Sequence, residues 1–321
     1  MISTSRRKFI QYAATTPIAL GGIGSLPNTL SSAAAAAVTT AKVGSITGND
    51  PSGYLRFASF LGRKQPLALL AFNQTSAANL WSSVPYICQQ GAAFAANGAQ
   101  VLWSVPCPGP KQLEAIVDHT WVGKYGALFK AILAASPQNN SPILIRLPWE
   151  FNLAWQENAA IDKNGNVNAA LFINAFQTLA NVARGVSPRF QRIWCPNVTT
   201  MGIDPLTCWP GSAYVDIVAQ DFYMQSAYNK PGDFSWFLKE QRGLLWGANF
   251  ARQNGKPYGL SEWGMNSDAF VGDLNAAALW LSGLGTTLHH QCWWDRADAI
   301  DCRISDGTHP GLGAAFRAQF Y

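Results

Sequence analysis

The chain has 321 residues, of which 48% are hydrophobic and only 13% charged, with a formal net charge of +5. High apolar content at so modest a charge argues against disorder, and this length can bury one large core. Three of the basic residues, Arg6, Arg7 and Lys8, sit at the start, so residues 38–321 carry 20 basic against 18 acidic side chains and no basic run, which argues against nucleic acid as a partner.

In chain order, the first element is a basic start, an apolar stretch over residues 12–26 and an Ala-rich end. Residues 1–37 therefore read as a cleaved signal peptide, and the paired Arg6–Arg7 resembles the twin-arginine type. Gly21, Gly22, Gly24, Pro17 and Pro27 interrupt the apolar run well short of a membrane span. The expected destination is periplasmic or secreted, with no stable membrane insertion once the signal is removed.

Residues 38–321 then alternate short apolar runs with longer amphipathic segments. Strands are predicted at 43–47, 67–72, 100–106, 142–149, 191–196, 214–222, 257–263 and 287–294, most of them rich in β-branched or aromatic residues and bounded by Pro, Gly or Asn. Helices are predicted near 53–61, 85–97, 122–135, 168–185, 234–254, 271–283 and 308–319. After the fifth strand, "TTMGIDPLTCWPGS" reads as a loop. Eight strands separated mostly by helices make this an α/β protein, a single (β/α)₈ TIM barrel over residues 38–321.

Six cysteines, Cys88, Cys107, Cys195, Cys208, Cys292 and Cys302, follow the signal. An even count in an exported chain suggests disulfides, most simply between sequence neighbours, although sequence alone leaves 15 pairings open. No CxxC pair occurs and no His stands at ligand spacing from these cysteines, so neither a metal nor another cofactor is expected.

In a barrel of this kind the chemistry gathers at the carboxyl ends of the strands. The fourth predicted strand, in "SPILIRLPWEFNLAW", runs into Glu150, and the seventh, in "KPYGLSEWG", runs into Glu262. Barrel closure would bring these two carboxylates to one mouth. One can then protonate a departing glycosidic oxygen while the other attacks the anomeric carbon or activates water. The chain holds 13 Trp, and Trp149, Trp155, Trp209, Trp263, Trp293 and Trp294 fall at strand ends or in the loops that follow. Indole faces stack on the C–H faces of pyranose rings, and an aromatic wall helps to keep one carboxyl protonated. Trp103, Trp194, Trp246 and Trp280 read instead as core. Arg146 shares alternation parity with Glu150 and should point into the barrel, where it needs a carboxylate partner, either Asp221 or Asp216.

The segments "ILIRLPWEFNLAW", "RIWCPN", "CWPGSAYVDIVAQDFY", "KPYGLSEWG" and "QCWWD" occur in an order that resembles glycoside hydrolase family 26, the β-mannanases and related β-glycanases of the retaining (β/α)₈ clan. The resemblance spans most of residues 43–296. It implies a polysaccharide or oligosaccharide substrate, Glu150 as acid/base, Glu262 as nucleophile and Tyr223 as a phenol bonded to the nucleophile. It also implies that Trp293 or Trp294 floors the subsite at the cleavage point. One departure stands out: Trp149 occupies the place where the family usually carries His and the wider clan Asn. That removes a polar contact expected to orient the acid, and Asn152 is left to supply part of the support.

Other chemistries fit less well. "GLSEWG" fails the serine elbow because Trp263 replaces the Gly that the strained turn needs. His289 and His290 are adjacent on a strand, so they should point to opposite faces, with His290 a candidate to face the cleft. Glu114, Glu157 and Glu240 read as solvated charges, and Asp295 and Asp298 either rim the cleft or solvate a loop. The expected function is thus a secreted, retaining glycosidase acting on β-mannan or β-glucan through two glutamates. The alternatives are a non-catalytic carbohydrate-binding protein on a hydrolase scaffold, supported by Trp149, and a transglycosylase.

Overall fold

The computed structural model describes residues 41–62, 67–108, 112–199 and 202–321, so the expected signal peptide lies outside the described residues. Eight parallel strands form a closed barrel in sequence order: β1 (Lys42–Ile46), β2 (Leu67–Ala71), β3 (Gln100–Ser104), β4 (Ile143–Arg146), β5 (Phe190–Trp194), β6 (Ile217–Met224), β7 (Tyr258–Met265) and β8 (Leu288–Trp294). The last strand closes on the first, with Lys42 opposite His290 and Ile46 opposite Trp294. Nearly every strand residue is buried, as expected of parallel strands walled in on both faces. The single (β/α)₈ barrel is therefore the observed fold.

Around the strands lie α1 (Pro51–Leu61), α2 (Ala77–Ala96), α3 (Leu113–Val117), α4 (Val122–Ala135), α5 (Ala169–Val186), α6 (Phe234–Lys239), α7 (Leu244–Gln253), α8 (Val271–Gly283) and α9 (Pro310–Phe320). Between β5 and β6 the described residues form only a short 3₁₀ turn, Pro205–Cys208, in agreement with the loop expected there. Two helices differ from expectation. The second begins earlier, because Ser76 caps it by accepting from Asn79 N–H, and Pro85 lies inside it rather than at its start. The long helix expected over residues 234–254 is broken at Gly243, where a Cβ would lie 2.5 Å from the Phe237 carbonyl oxygen.

Two register shifts decide which side chains face the barrel interior. Against both of its neighbours β7 carries one extra residue: Leu260 pairs with Gln220 while Glu262 pairs with Asp221, and Leu260 pairs with Gln291 while Trp263 pairs with Trp293. This bulge turns Glu262 inward directly after Ser261 and turns Trp263 out. Trp263 stacks on Phe222 at 5.8 Å and meets Phe316 of α9 at 6.1 Å, with no solvent exposure. Trp293, also fully buried, packs edge-on against Phe316 at 5.2 Å and donates its indole N–H to Cys302 O at 2.7 Å. Both belong to the layer between strands and helices together with Trp103 and Trp194, so neither can bind substrate as expected.

The expected disulfides are absent as well: all six cysteines are buried free thiols. Cys195 points at Asp221, 3.2 Å from its Oδ1, whereas Cys208 belongs to the 3₁₀ turn beyond the strand.

The second shift lies on β8, where Tyr258 pairs with Leu288 and Gly259 with His290, leaving His289 as the extra residue. The two imidazoles consequently meet, Nδ1 to Nδ1 at 2.9 Å, rather than diverging. His290 also bonds Ser261 Oγ at 3.2 Å and is fully buried level with Lys42, where β1 begins, at the opposite end from the mouth. It is a core residue and not a cleft residue. Burial, with the Lys42 charge adding to it, lowers the pKa of His289 to about 4 and holds that of His290 well below the ordinary value. The unfolded chain takes up these protons near pH 6.5 and the folded chain refuses them, so stability falls as pH drops below about 6.5, by roughly 1.4 kcal/mol per pH unit for each histidine. Melting temperatures taken between pH 7 and pH 5 should show this fall, and His289→Gln should flatten it by one histidine's share.

Candidate active site

The site begins where β4 stops. Pro148 has no N–H to continue the ladder, and the chain turns through Glu150 in the left-handed region, φ +49°. Its amide is caught by Cys195 O at 2.9 Å, just past β5. A non-glycine residue in this region costs energy, and the surrounding hydrogen bonds hold it there. The Glu150 carboxylate is fixed at both oxygens. Asn197 Nδ2 donates to Oε1 at 2.8 Å and Gln156 Nε2 donates to Oε2 at 2.5 Å.

Asn197 is held in turn by Asn152. The Asn197 amide donates to Asn152 Oδ1 at 2.8 Å, and Asn152 Nδ2 donates to Asn197 O at 2.9 Å. Ile203 N–H donates to Asn152 O at 2.9 Å, a close approach that the preceding Gly202 permits: it has φ +107°, and a Cβ there would lie 2.2 Å from the same oxygen. Asn152 is fully buried and acts through Asn197, which is the polar support for Glu150 expected of it; a direct substrate contact belongs to residues nearer the cleft.

On the other side, Glu262 is held by Arg146 and Tyr223. The Tyr223 hydroxyl donates to Glu262 Oε2 at 2.6 Å, and Arg146 Nη2 donates to Oε1 in a short ion pair. Arg146 reaches across the interior, with no solvent exposure, to Asp221 Oδ2 at 2.9 Å and Ser104 Oγ at 3.0 Å. Asp216 is taken by Arg192 at 2.6 Å, which settles Asp221 as the interior partner together with Glu262. Strand register joins the two halves, because Asn197 bridges to Asp221 and Asp221 pairs with Glu262. Four consecutive strands, β4 to β7, thus deliver Glu150, Asn197, Asp221 with Tyr223, and Glu262 to one place.

The electrostatics follow from this packing. Burial opposes the Arg146 charge, but the Glu262 and Asp221 carboxylates outweigh it and raise the pKa, so the guanidinium stays charged. Burial pushes the Asp221 carboxyl well above its ordinary value; Arg146 pulls it back, while Glu262 and Glu150 push it up further. Tyr223 is likewise raised well above its ordinary value, by desolvation and by the Glu262, Asp221 and Glu150 carboxylates, and remains a hydrogen-bond donor.

A cleft of about 250 Å³ opens over Glu262, lined among others by Trp149, Trp294, Glu157, Arg296 and Asp298. Trp149 lays its ring 4.6 Å from the Arg146 guanidinium, which gives this unexpected indole a role as a lid on the buried cation. Trp294 meets Tyr223 edge-on at 5.8 Å and donates its N–H to Ile300 O at 3.1 Å. Trp155 is half-buried on the loop after β4. Asp298 pairs with Arg296 at 2.5 Å at the cleft, whereas Asp295 is buried and braces the loop after β8 by accepting from Ile304 N at 2.7 Å.

Three polar residues of the site escape the sequence reading. Asn197, Gln156 and Glu157 lie on loops, where no hydrophobic period marks a facing side chain; Asn197 at the end of "RIWCPN" is the one a strand-end search could have found. Glu157, expected to be solvated, is only 7% exposed and lines the cleft. Among the described residues no group of His, Cys, Asp and Glu could hold a metal ion, and no helix is long and apolar enough to cross a membrane.

No family model matches the chain, and no curated protein is similar to it in sequence. Solved structures are similar in fold. The Bacillus subtilis mannanase BCman matches with a TM-score of 0.59 at 16% identity, over 88% of this chain and 87% of that one. An endo-β-1,4-mannanase double mutant from Cellulomonas fimi matches with a TM-score of 0.63 at 15% identity, over 82% and 65% of the two chains. A GH26 β-mannanase from Bacteroides ovatus matches at 0.53 with 14% identity, over 83% and 81%. At such identities the likeness establishes a shared barrel.

Proposed function

We propose that this chain is an exported, retaining glycoside hydrolase of the family 26 type, cleaving β-linked polysaccharide of the mannan or glucan kind, with residues 1–37 as its twin-arginine signal. One observation carries the reading: Glu150, on the turn just beyond β4, and Glu262, in the carboxyl-terminal half of β7, are each held by their own set of donors around one cluster. The mannanase neighbours share this barrel and add support. In the proposed reaction Glu150 gives its proton to the leaving oxygen while Glu262 Oε attacks the anomeric carbon. Glu150 then takes a proton from water, which releases the sugar from Glu262. The Asn197 and Gln156 amides keep the Glu150 carboxyl aimed, and the Tyr223 hydroxyl and Arg146 keep Glu262 in line.

The test is rescue. Glu150→Ala should lower turnover on β-mannan, β-glucan or xylan, whichever the parent cleaves, by about 10²–10⁴-fold. On an activated aryl β-glycoside, azide should restore the rate and give the β-glycosyl azide. An α-azide, or undiminished polysaccharide hydrolysis by the variant, would overturn the assignment. Binding of these polymers by the parent with no release of reducing ends would favour a carbohydrate-binding protein instead.

A further inference from the structure

Glu157 follows β4 on the same loop as Glu150, yet takes no part in the chemistry above. Its carboxylate lines the cleft that opens over Glu262. Among the described residues it accepts one hydrogen bond, from Gln74 Nε2 at 3.3 Å, and enters none of the ion pairs. A carboxylate can accept about four hydrogen bonds, so this one keeps unused acceptor capacity that it turns toward the cleft. It is also built in place. Gln74 accepts from Asn158 Nδ2 at 3.3 Å, and Asn158 Oδ1 accepts from the buried Cys107 N–H at 2.8 Å. This relay ties the carboxylate to the loops after β2 and β3, so it meets a ligand pre-oriented.

Resting on the hydrolase reading of this cleft, we propose that Glu157 is a specificity-determining residue that receives the hydroxyl groups of an uncharged sugar ring on the Glu262 side of the cleavage point. A ring whose anomeric carbon faces Glu262 lies in this cleft, between the indoles of Trp149 and Trp294. Its hydroxyls can supply the donors that Glu157 lacks, as charge-assisted hydrogen bonds that depend on which hydroxyls point that way. The other charges of the cleft favour an uncharged ring. Arg296 is matched by Asp298 and Glu262 by Arg146, so Glu157 is the acceptor left to meet the hydroxyls of the ring, and a glucosamine hexaose tests the alternative that it takes an ammonium group.

The experiment compares the parent, Glu157→Gln and Glu157→Ala on manno-, gluco- and xylohexaose linked β-1,4. For the preferred hexaose, kcat/KM should fall about 10–100-fold in Glu157→Ala and less in Glu157→Gln, which corresponds to roughly 1.4–2.7 kcal/mol. Preference among the three sugars should narrow, with the melting temperature unchanged; a merely structural residue would lower all three equally. Equal losses, no loss, or tighter binding of a glucosamine hexaose by the parent than of its neutral counterparts would overturn the proposal. Calorimetric titration of the same hexaoses keeps the two readings apart. Binding weakened by Glu157→Ala, when the parent cleaves nothing, retains the subsite and ends the hydrolase. Cleavage and preference indifferent to Glu157→Ala retain the hydrolase and end the subsite.

Discussion

Glu262→Gln should abolish turnover, by on the order of 10⁴-fold or more, about 5.5 kcal/mol of barrier, while the barrel stays folded. The amide keeps the shape of the side chain: its oxygen can accept from Arg146 while its NH2 donates to the Tyr223 hydroxyl oxygen, so the main loss is the nucleophile. Stability is spared for an electrostatic reason. Arg146 now faces two carboxylates, Asp221 and Glu262, and after the change it retains Asp221 at 2.9 Å, leaving a buried pair that sums to neutral. With a 2-deoxy-2-fluoro aryl glycoside, the parent should gain the mass of one sugar on Glu262 and the variant should gain none. A variant that still hydrolyses polysaccharide at a rate near the parent's would remove Glu262 from the reaction and leave it as a structural partner of Arg146.

The barrel was legible because most strands are short segments rich in β-branched or aromatic residues, bounded by Pro, Gly or Asn and separated by helical segments. Glu150 and Glu262 were legible as charges at the ends of such runs. The orientation of their neighbours was not. Adjacent residues on a strand face opposite ways, so counting both Glu262 and Trp263 as cleft residues for their place near a strand end has to fail for one of them, and the extra residue at Ser261 decides which. The same kind of insertion at His289 brings two imidazoles into contact that a regular strand would separate. Cysteine number is blind to direction, which is why six thiols in an even count remain six thiols. Gln156, Glu157 and Asn197 were hidden for a different reason. Asn197 and Glu157 act through hydrogen bonds between loops distant in sequence, to Asn152 and Gln74, and Gln156 reaches back along one irregular loop to Glu150; no periodic pattern encodes either kind of meeting.

Arg146→Met should destabilise the fold by about 3–5 kcal/mol, the usual cost of removing one partner from a buried ion cluster. Methionine fills much of the volume, so the loss arises from what remains. Asp221 and Glu262 face each other across adjacent strands without their cation, Ser104 Oγ loses its donor, and Trp149 loses the guanidinium beneath its ring. Asp221 already binds its proton more tightly folded than unfolded, through burial first and the neighbouring carboxylates next. Without Arg146 that preference grows. A carboxyl whose folded pKa is raised lends stability at low pH and withdraws it as pH climbs through that value, so the deficit of Arg146→Met should be small near pH 5 and largest near pH 8. Adding Asp221→Asn removes one of the stranded charges and should recover part of the loss. Denaturant midpoints at the two pH values measure both effects. If Arg146→Met matched its parent at pH 8, the barrel interior would be solvating those carboxylates by other means, and the cluster would have no claim to hold Glu262 in place.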